Sequence, residues 1–276
     1  MEKTMKFEKV SSGKRVKSML KVDFRRMFKS KLFYILIACA LLVPIVMTVM
    51  LTMMDGQETV NRQTGEVTVM EGPENAWEAI GTLPSDVNES GDAAMMGGMD
   101  IMAMCNINMA FMGVAVFVCL FISDDFRSGY AKNLFTVRAK RGEYAVSKTI
   151  SGFICGAFML IAYLVGAVLG GAISGLSFDL HGLNAGNIVM CMLAKIFLML
   201  VFVSIFTLIS VAAKQKAWLS ICGSLGGGML LFMMVSMITP LGSTIINVVL
   251  CAAGGALFAF GLGSVTKVIL QKTSLV

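Results

Sequence analysis

Long stretches without a charged side chain restrict this chain more than any other feature of its sequence. Four apolar stretches exceed 20 residues with no Asp, Glu, Lys or Arg, and a helix of about 20 apolar residues crosses a bilayer core. Hydrophobic residues make up 57% of the 276 residues and charged residues 14%, against about 45–50% and about 25% in soluble domains. This composition excludes an ordinary soluble enzyme, a disordered chain, a coiled coil and a small disulfide-stapled domain.

Hydropathy divides the chain into six predicted membrane spans, which makes it an all-α integral membrane protein. The first span follows a basic segment, as in a signal peptide, but it is too long for one and no small-residue cleavage site follows it. We therefore interpret it as a retained anchor. The predicted spans cover residues 32–54, 104–122, 147–174, 187–212, 218–238 and 244–265.

The distribution of Lys and Arg predicts the orientation, because cytoplasmic loops carry an excess of these residues. Residues 1–31 hold eleven Lys or Arg, and residues 123–148 hold six. Residues 55–105 hold one Arg and ten acidic residues. We therefore expect cytoplasmic termini, an N-terminal arm over 1–31, a six-span domain over 32–276, an outer loop over 55–103 and a cytoplasmic loop over 123–146.

The N-terminal arm has the pattern of a basic amphipathic helix. Its apolar residues recur at intervals of three and four, with cations largely on the other side. Such a helix lies in the headgroup layer beside anionic lipid; the alternative is a plain basic flank of the first span. No groove-reading motif accompanies the charge, so nucleic acid is not an expected partner. The helix positions that we single out are Met19, Leu20, Phe24, Met27 and Phe28.

The loop between the second and third spans is short and mixed in charge. Gly129 is placed to end the preceding helix, and residues 131–137 then predict one short helix. Leu134 and Phe135 are its apolar side chains, so it suits a groove in a partner protein. The alternative is a solvated turn.

A set of motifs in this region, in a fixed order, resembles the permeases of type-2 ATP-binding-cassette (ABC) transporters. An acidic residue leaves the second span at Asp124–Asp125–Phe126, and Gly129 to Leu134 follow. Arg141 to Tyr144 then form an Arg-x-x-Tyr motif, and Ser147–Lys148 open the third span. The order of interfacial helix, span, large outer loop, span, loop and four further spans extends the similarity over nearly the whole chain. Tyr130–Ala131 departs from the pattern of many relatives.

The resemblance implies a dimer of six-span units, formed with a second copy or a homologous permease and with each unit bound to a cytoplasmic ABC ATPase. ATP and Mg²⁺ would sit on that ATPase, and this chain would have no catalytic, cofactor or metal residues. In agreement with a separate ATPase, this chain carries no G-x-x-x-x-G-K-[ST] phosphate-binding loop. The 123–146 loop would be the coupling element. Its residues would be Phe126, Gly129, Leu134, Phe135, Arg138, Arg141, Tyr144 and Lys148.

The resemblance also implies export of an amphipathic peptide, a drug or a lipid-like molecule from a bacterial cytoplasmic membrane. Small relatives serve lantibiotic immunity or bacitracin-type resistance. A non-transporting scaffold or sensor subunit is the alternative from another class. A copper-related permease is a further alternative, since soft thioethers bind Cu(I) and the outer loop holds a methionine cluster. That cluster comprises Met95, Met96, Met99, Met102 and Met104.

Lys195 is the one clear charge within a predicted span. Its ammonium either reaches the outer membrane surface along its flexible stem or lines a substrate path. The seven cysteines are scattered and the chain has a single histidine, so the sequence predicts neither a zinc site nor a disulfide framework.

Overall fold

The computed structural model describes residues 11–60, 67–69, 72–82, 106–137, 140–180 and 182–272. Within these ranges the chain forms nine helices and one two-stranded hairpin. In chain order they are α1 (Ser12–Lys29), α2 (Lys31–Met53), β1 (Glu58–Val60), β2 (Val67–Val69), α3 (Ala76–Ala79), α4 (Met109–Arg127), α5 (Tyr130–Val137), α6 (Arg141–Ser174), α7 (Ala185–Ala213), α8 (Ala217–Ile238) and α9 (Ile245–Lys272).

Five helices of the described residues are long and apolar enough to cross a membrane, namely α2, α4, α6, α7 and α9. The predicted class, a helical protein with several membrane-crossing helices, is therefore confirmed. The sixth predicted span coincides with α8, which has 22 residues. Its apolar part over Ala217–Phe232 is shorter than the other five.

Three helices form the centre of the bundle. α4, α6 and α7 contact one another, while α2 packs on α6, α8 packs on α4 and α7, and α9 packs chiefly on α7. Aromatic side chains fill the space between the central helices. The rings of Phe111 and Phe202, for example, lie 4.6 Å apart and are both buried. The outer helices keep large apolar side chains exposed, as lipid-facing surfaces do.

Small residues allow α2 and α6 to approach closely. A Cβ atom on Gly166 would overlap the carbonyl oxygen of Leu41, and one on Gly170 would lie 2.9 Å from the Cα of Ile45. Helices that meet at such four-residue spacing pack backbone against backbone. The spacing of these glycines in the sequence therefore reflects a helix contact.

Two helices extend well beyond the spans predicted from hydropathy. α6 begins at Arg141 rather than near residue 147, and α9 continues to Lys272 rather than ending near 265. Hydropathy detects only the lipid-facing part of a helix, whereas backbone hydrogen bonding continues through charged turns outside the bilayer. Tyr144 and Lys148, predicted in or at the edge of the loop, consequently lie inside α6. The connection between α4 and α6 shortens to residues 128–140.

The two ends of the bundle carry different structures. At one, here called the α1 end, α1 lies beside the first turns of α6, and the Arg141 guanidinium donates a hydrogen bond to the Leu270 carbonyl of α9. At the other, the hairpin end, β1 and β2 pair antiparallel with Glu58 opposite Val69. The short helix α3 also lies at this end, where Asn75 bridges to Ser177 just beyond α6. The predicted methionine cluster lies outside the described residues.

Candidate functional site

The α4–α6 connection at the α1 end is built as predicted around a glycine. α4 ends at Arg127, and Gly129 adopts φ +74°, a left-handed conformation that glycine tolerates without strain. The chain then turns directly into α5. Helix α5 exposes Lys132, Asn133 and Thr136, and it buries Ala131.

The two apolar side chains that the sequence predicts for contact with a partner protein are only half exposed. Leu134 and Phe135 are partly buried and pack against the core. The ring of Phe135 lies edge-on to the ring of Tyr144, with centroids 5.3 Å apart. Helix α5 is therefore fixed to α6 by the side chains that the sequence suggested for a partner.

A cluster of four charged side chains, three buried and one partly exposed, lies beneath α5; we call it the ionic cluster. It consists of Asp23 and Arg26 from α1, Asp125 from α4 and Lys148 from α6. The Lys148 ammonium lies 2.7 Å from an oxygen of Asp23 and 2.7 Å from an oxygen of Asp125. The Arg26 guanidinium lies 2.5 Å from the other oxygen of Asp125. Three helices are thus joined through one set of contacts.

Two hydroxyl groups complete the coordination of the carboxylates. The Tyr144 hydroxyl donates to Asp125 at 2.9 Å, and the Ser147 hydroxyl donates to Asp23 at 2.6 Å. Asp23 is 2% exposed and Asp125 is fully buried. Two carboxylates and two cations have no net charge, which is the arrangement in which buried charges are tolerated.

Aromatic rings surround the cations of the ionic cluster. The Lys148 nitrogen lies 4.1 Å from the centre of the Phe121 ring, and Arg26 lies 4.5 Å from that of Tyr130. Burial alone would lower the pKa of Arg26, but Asp125 and Asp23 outweigh burial and raise it above its ordinary value. Burial raises the pKa of Tyr130, and the two carboxylates add to the rise. Arg26 therefore stays charged and Tyr130 stays neutral at physiological pH.

A second ion pair ties the start of α1 to the same region. Glu143, in the first turn of α6, accepts a hydrogen bond from the Ser12 hydroxyl at 2.6 Å and lies 3.1 Å from the Arg15 guanidinium. Helix α1 is therefore held at both ends against the first turns of α6. Any displacement of the first turns of α6 must move α1 with it or break these contacts.

The structure brings together several residues of the motifs that the sequence singled out. Asp125, Tyr144, Ser147 and Lys148 meet in the ionic cluster, although 19 or more residues separate the first from the others. Of the arm residues, Met19 and Met27 are buried against the bundle, Leu20 and Phe24 are half-buried, and Phe28 is exposed. Arg138 lies outside the described residues.

Sequence reasoning did not single out Asp23 and Arg26. A signal was present for Asp23, because it lies four residues after Met19 and four before Met27, in the middle of the apolar stripe. A carboxylate on that stripe predicts a buried partner. The sequence could not name the partner, which lies 125 residues along the chain.

Lys195 does not belong to this site, and its side chain is not exposed. It is fully buried, and its ammonium donates to the side chains of Asn108 at 2.9 Å and Thr239 at 3.0 Å. The interpretation that the ammonium extends into water at the outer surface is therefore wrong, because these two acceptors, directly before α4 and directly after α8, keep it buried. Whether it lines a substrate path stays a prediction.

Comparison with known proteins agrees with this architecture. The model of the family described as "ABC-2 family transporter protein" matches residues 19–230. Comparisons with curated proteins and with solved structures give no significant match. The family match begins within α1, covers the ionic cluster and runs into α8. The chain therefore belongs to the ABC-2 transporter family and is a multi-pass membrane protein, the permease subunit of an ABC transporter.

Proposed function

We propose that this chain is the six-span permease of an exporter, in which α5 receives the motion of a separate ABC ATPase. The observation that supports this most strongly is the ionic cluster. It joins the two helices that flank α5 to α1, so a force on α5 is passed to α2 through α1 and to the bundle through α4 and α6. A rigid, charge-neutral junction at this position suits force transmission.

The proposed topology places both termini and α5 in the cytoplasm. Six crossings by α2, α4, α6, α7, α8 and α9 return the chain to the side on which it started. The contact of Arg141 with Leu270, which puts the start of α6 beside the end of α9, supports this count. Under this topology α3 and the β hairpin belong to the outer loop.

The cargo proposed for this permease is an amphipathic peptide, a drug or a lipid-like molecule, moved across a bacterial cytoplasmic membrane. ATP and Mg²⁺ bind the partner ATPase, and a second permease copy or a homologous permease completes the transporter. Alternation between inward- and outward-facing arrangements follows closure of the paired ATPases. These statements derive from the family to which the chain belongs.

The contact surface for the ATPase is proposed on α5, over the exposed residues Lys132, Asn133 and Thr136 with the half-buried Leu134 and Phe135. The test is the double variant Leu134→Ala/Phe135→Ala in the reconstituted complex. Truncating an interface anchor costs about 2 kcal/mol or more. We expect at least a tenfold loss of ATPase recovered with the permease, or loss of substrate-stimulated ATP hydrolysis.

Because Phe135 also packs on Tyr144, a second variant separates contact from folding. Lys132→Ala/Asn133→Ala changes only exposed side chains and is expected to weaken ATPase recovery without lowering thermal stability. Lys17→Ala/Lys21→Ala, on the exposed face of α1, is the matched control. Wild-type recovery and hydrolysis in both α5 variants would contradict the assignment of α5 as the coupling element.

A further inference from the structure

A pocket opens beside the ionic cluster at the α1 end of the bundle. Its volume is about 240 Å³, and it lies where α1 joins α2, α4 ends and α7 turns into α8. Its apolar wall includes Leu32, Leu120 and Phe121. Its polar wall consists of Ser30, Ser123, Asp124, Arg127 and Gln215. Two wall residues, Phe121 and Asp124, also contact cations of the ionic cluster, but neither that cluster nor the proposed coupling role of α5 accounts for the pocket itself.

One lining residue, Arg127, is an exposed cation, and four exposed lysines adjoin lining residues in the sequence. Lys29 and Lys31 flank the lining residue Ser30, while Lys214 and Lys216 flank the lining residue Gln215. Together with Arg127, these lysines are five exposed cations. Among the described residues that line the pocket or adjoin a lining residue in the sequence, Asp124 is the one exposed carboxylate. Asp124 is already engaged, with Arg127 at 3.2 Å and Arg26 at 3.7 Å. The excess of positive charge favours an anionic ligand.

A buried hydroxyl without a partner lies in the pocket wall, an observation independent of the charge. Ser123 is 4% exposed, and its Oγ has no hydrogen-bond partner among the described residues. A buried polar atom without a partner is uncommon, and a bound water, ion or ligand is one way in which it is satisfied. A rotation about one side-chain bond lets a serine hydroxyl donate to a neighbouring oxygen.

Exposed aromatic side chains near the pocket indicate that its ligand comes from the membrane. Trp218, next to the lining residue Ala217, is 67% exposed, and Tyr34, one turn into α2, is 57% exposed. Exposed Trp and Tyr mark the headgroup level of a membrane. The apolar wall continues from this level into α2 and α4, so a ligand with its anionic group at the cations has its chains in the bilayer.

We propose that this pocket binds the headgroup of an anionic phospholipid from the inner leaflet. Arg127 and the lysines near Ser30 and Gln215 attract the phosphate, Ser123 donates a hydrogen bond to it, and Leu32, Leu120 and Phe121 contact the first acyl carbons. Basic pockets between membrane helices on the cytoplasmic side bind such headgroups. The choice of leaflet rests on the proposed topology; the binding itself does not.

The test compares lipid retention by the full-length permease in nanodiscs of phosphatidylcholine with and without phosphatidylglycerol. Native mass spectrometry is expected to find phosphatidylglycerol retained in preference to phosphatidylcholine. Arg127→Gln/Lys216→Gln is expected to reduce that retention at least fivefold. The matched pair Lys17→Gln/Lys21→Gln removes the same charge from the exposed face of α1 and is expected to leave it unchanged. Equal losses in the two pairs, or equal retention of both lipids, would overturn the proposal.

Ser123→Ala separates a binding role from a structural one. Removing a buried hydroxyl without a partner is neutral or stabilising for the fold, so this variant is expected to keep its melting temperature while losing lipid retention about threefold. Unchanged retention would remove Ser123 from the site and overturn the proposed contact.

Labelling identifies the occupant. Ser30→Cys is expected to react with a neutral maleimide at least fivefold more slowly when phosphatidylglycerol is present. Ser128→Cys, which is exposed and outside the pocket wall, is expected to react at the same rate with and without this lipid. Equal protection by inorganic phosphate would replace the lipid with a soluble anion. Disulfide-linked dimers through residue 30 would show that a second copy covers the pocket. Either result overturns the proposal.

Discussion

At the scale of single residues, the adjacent carboxylates Asp124 and Asp125 illustrate how burial decides the value of an ion pair. Asp125 is fully buried and bonded to Arg26, Lys148 and Tyr144. The Asp124 side chain is 51% exposed and pairs with Arg127, which is 78% exposed. Removing one member of a buried pair leaves an uncompensated charge and costs about 3–5 kcal/mol, whereas an exposed pair is worth about 0–1 kcal/mol.

We therefore expect Asp125→Asn and Asp124→Asn to differ sharply in stability, although the chemical change is the same at neighbouring positions. Asp125→Asn leaves Arg26 and Lys148 with one buried carboxylate, Asp23, between them, so the apparent melting temperature in detergent falls by many degrees. Asp124→Asn shifts it little. Fluorescence-detected size-exclusion chromatography after heating measures both. Similar shifts in the two variants would show that the ionic cluster does not stabilise the fold.

At the scale of helices, sequence patterns predicted which segments are helical but not where the helices end or which residues meet. The six apolar segments each correspond to one helix, and the helical period of the arm corresponds to α1, because both signals are local. The start of α6 at Arg141 was missed, since charged turns carry no hydropathy signal. The ionic cluster was missed as a unit, because its contacts join residues about 100 and 125 positions apart and depend on how α1 lies across α6.

The contact between α2 and α6 provides a prediction about helix packing. A Cβ atom at Gly166 meets the backbone of Leu41, which no side-chain rotation relieves. Gly166→Ala must therefore separate the two helices, and overpacking of this kind costs about 1–3 kcal/mol. We expect a lower melting temperature and a smaller folded fraction.

Gly261→Ala in α9 is the matched control for this variant. A Cβ atom there has nothing within 4 Å, and Gly261 has a helical conformation that alanine shares. Alanine favours a helix over glycine by up to about 1 kcal/mol, so stability should stay equal or rise. A Gly166→Ala variant as stable as Gly261→Ala would mean that α2 is not packed closely on α6 in the membrane.

At the scale of the whole molecule, the arrangement of α8 decides the side on which the chain ends. Five helices of the described residues meet the length and hydropathy of a span, and α8 is the shorter apolar one. With α1 in the cytoplasm, as proposed above, a crossing by α8 puts the turn between α8 and α9 outside the cell and the end of α9 in the cytoplasm. If α8 does not cross, that turn is cytoplasmic and the chain ends outside.

Labelling from outside the cell distinguishes these two arrangements. Gly242→Cys places a thiol at an exposed position in the α8–α9 turn, where an added Cβ has its nearest neighbour 3.9 Å away. Gln57→Cys places one at the hairpin end, and Ser128→Cys places one next to α5. With α8 as a span, a membrane-impermeant maleimide labels residues 57 and 242 on intact cells and labels residue 128 only after permeabilisation. The unmodified chain, with its seven native cysteines, provides the background for this labelling.

Labelling at residue 57 without labelling at residue 242 would contradict the six-span arrangement, because α8 would then stay on one side of the membrane. The start of α1 and the end of α9 would lie on opposite sides. The contact of Arg141 with Leu270 would then not form in the membrane.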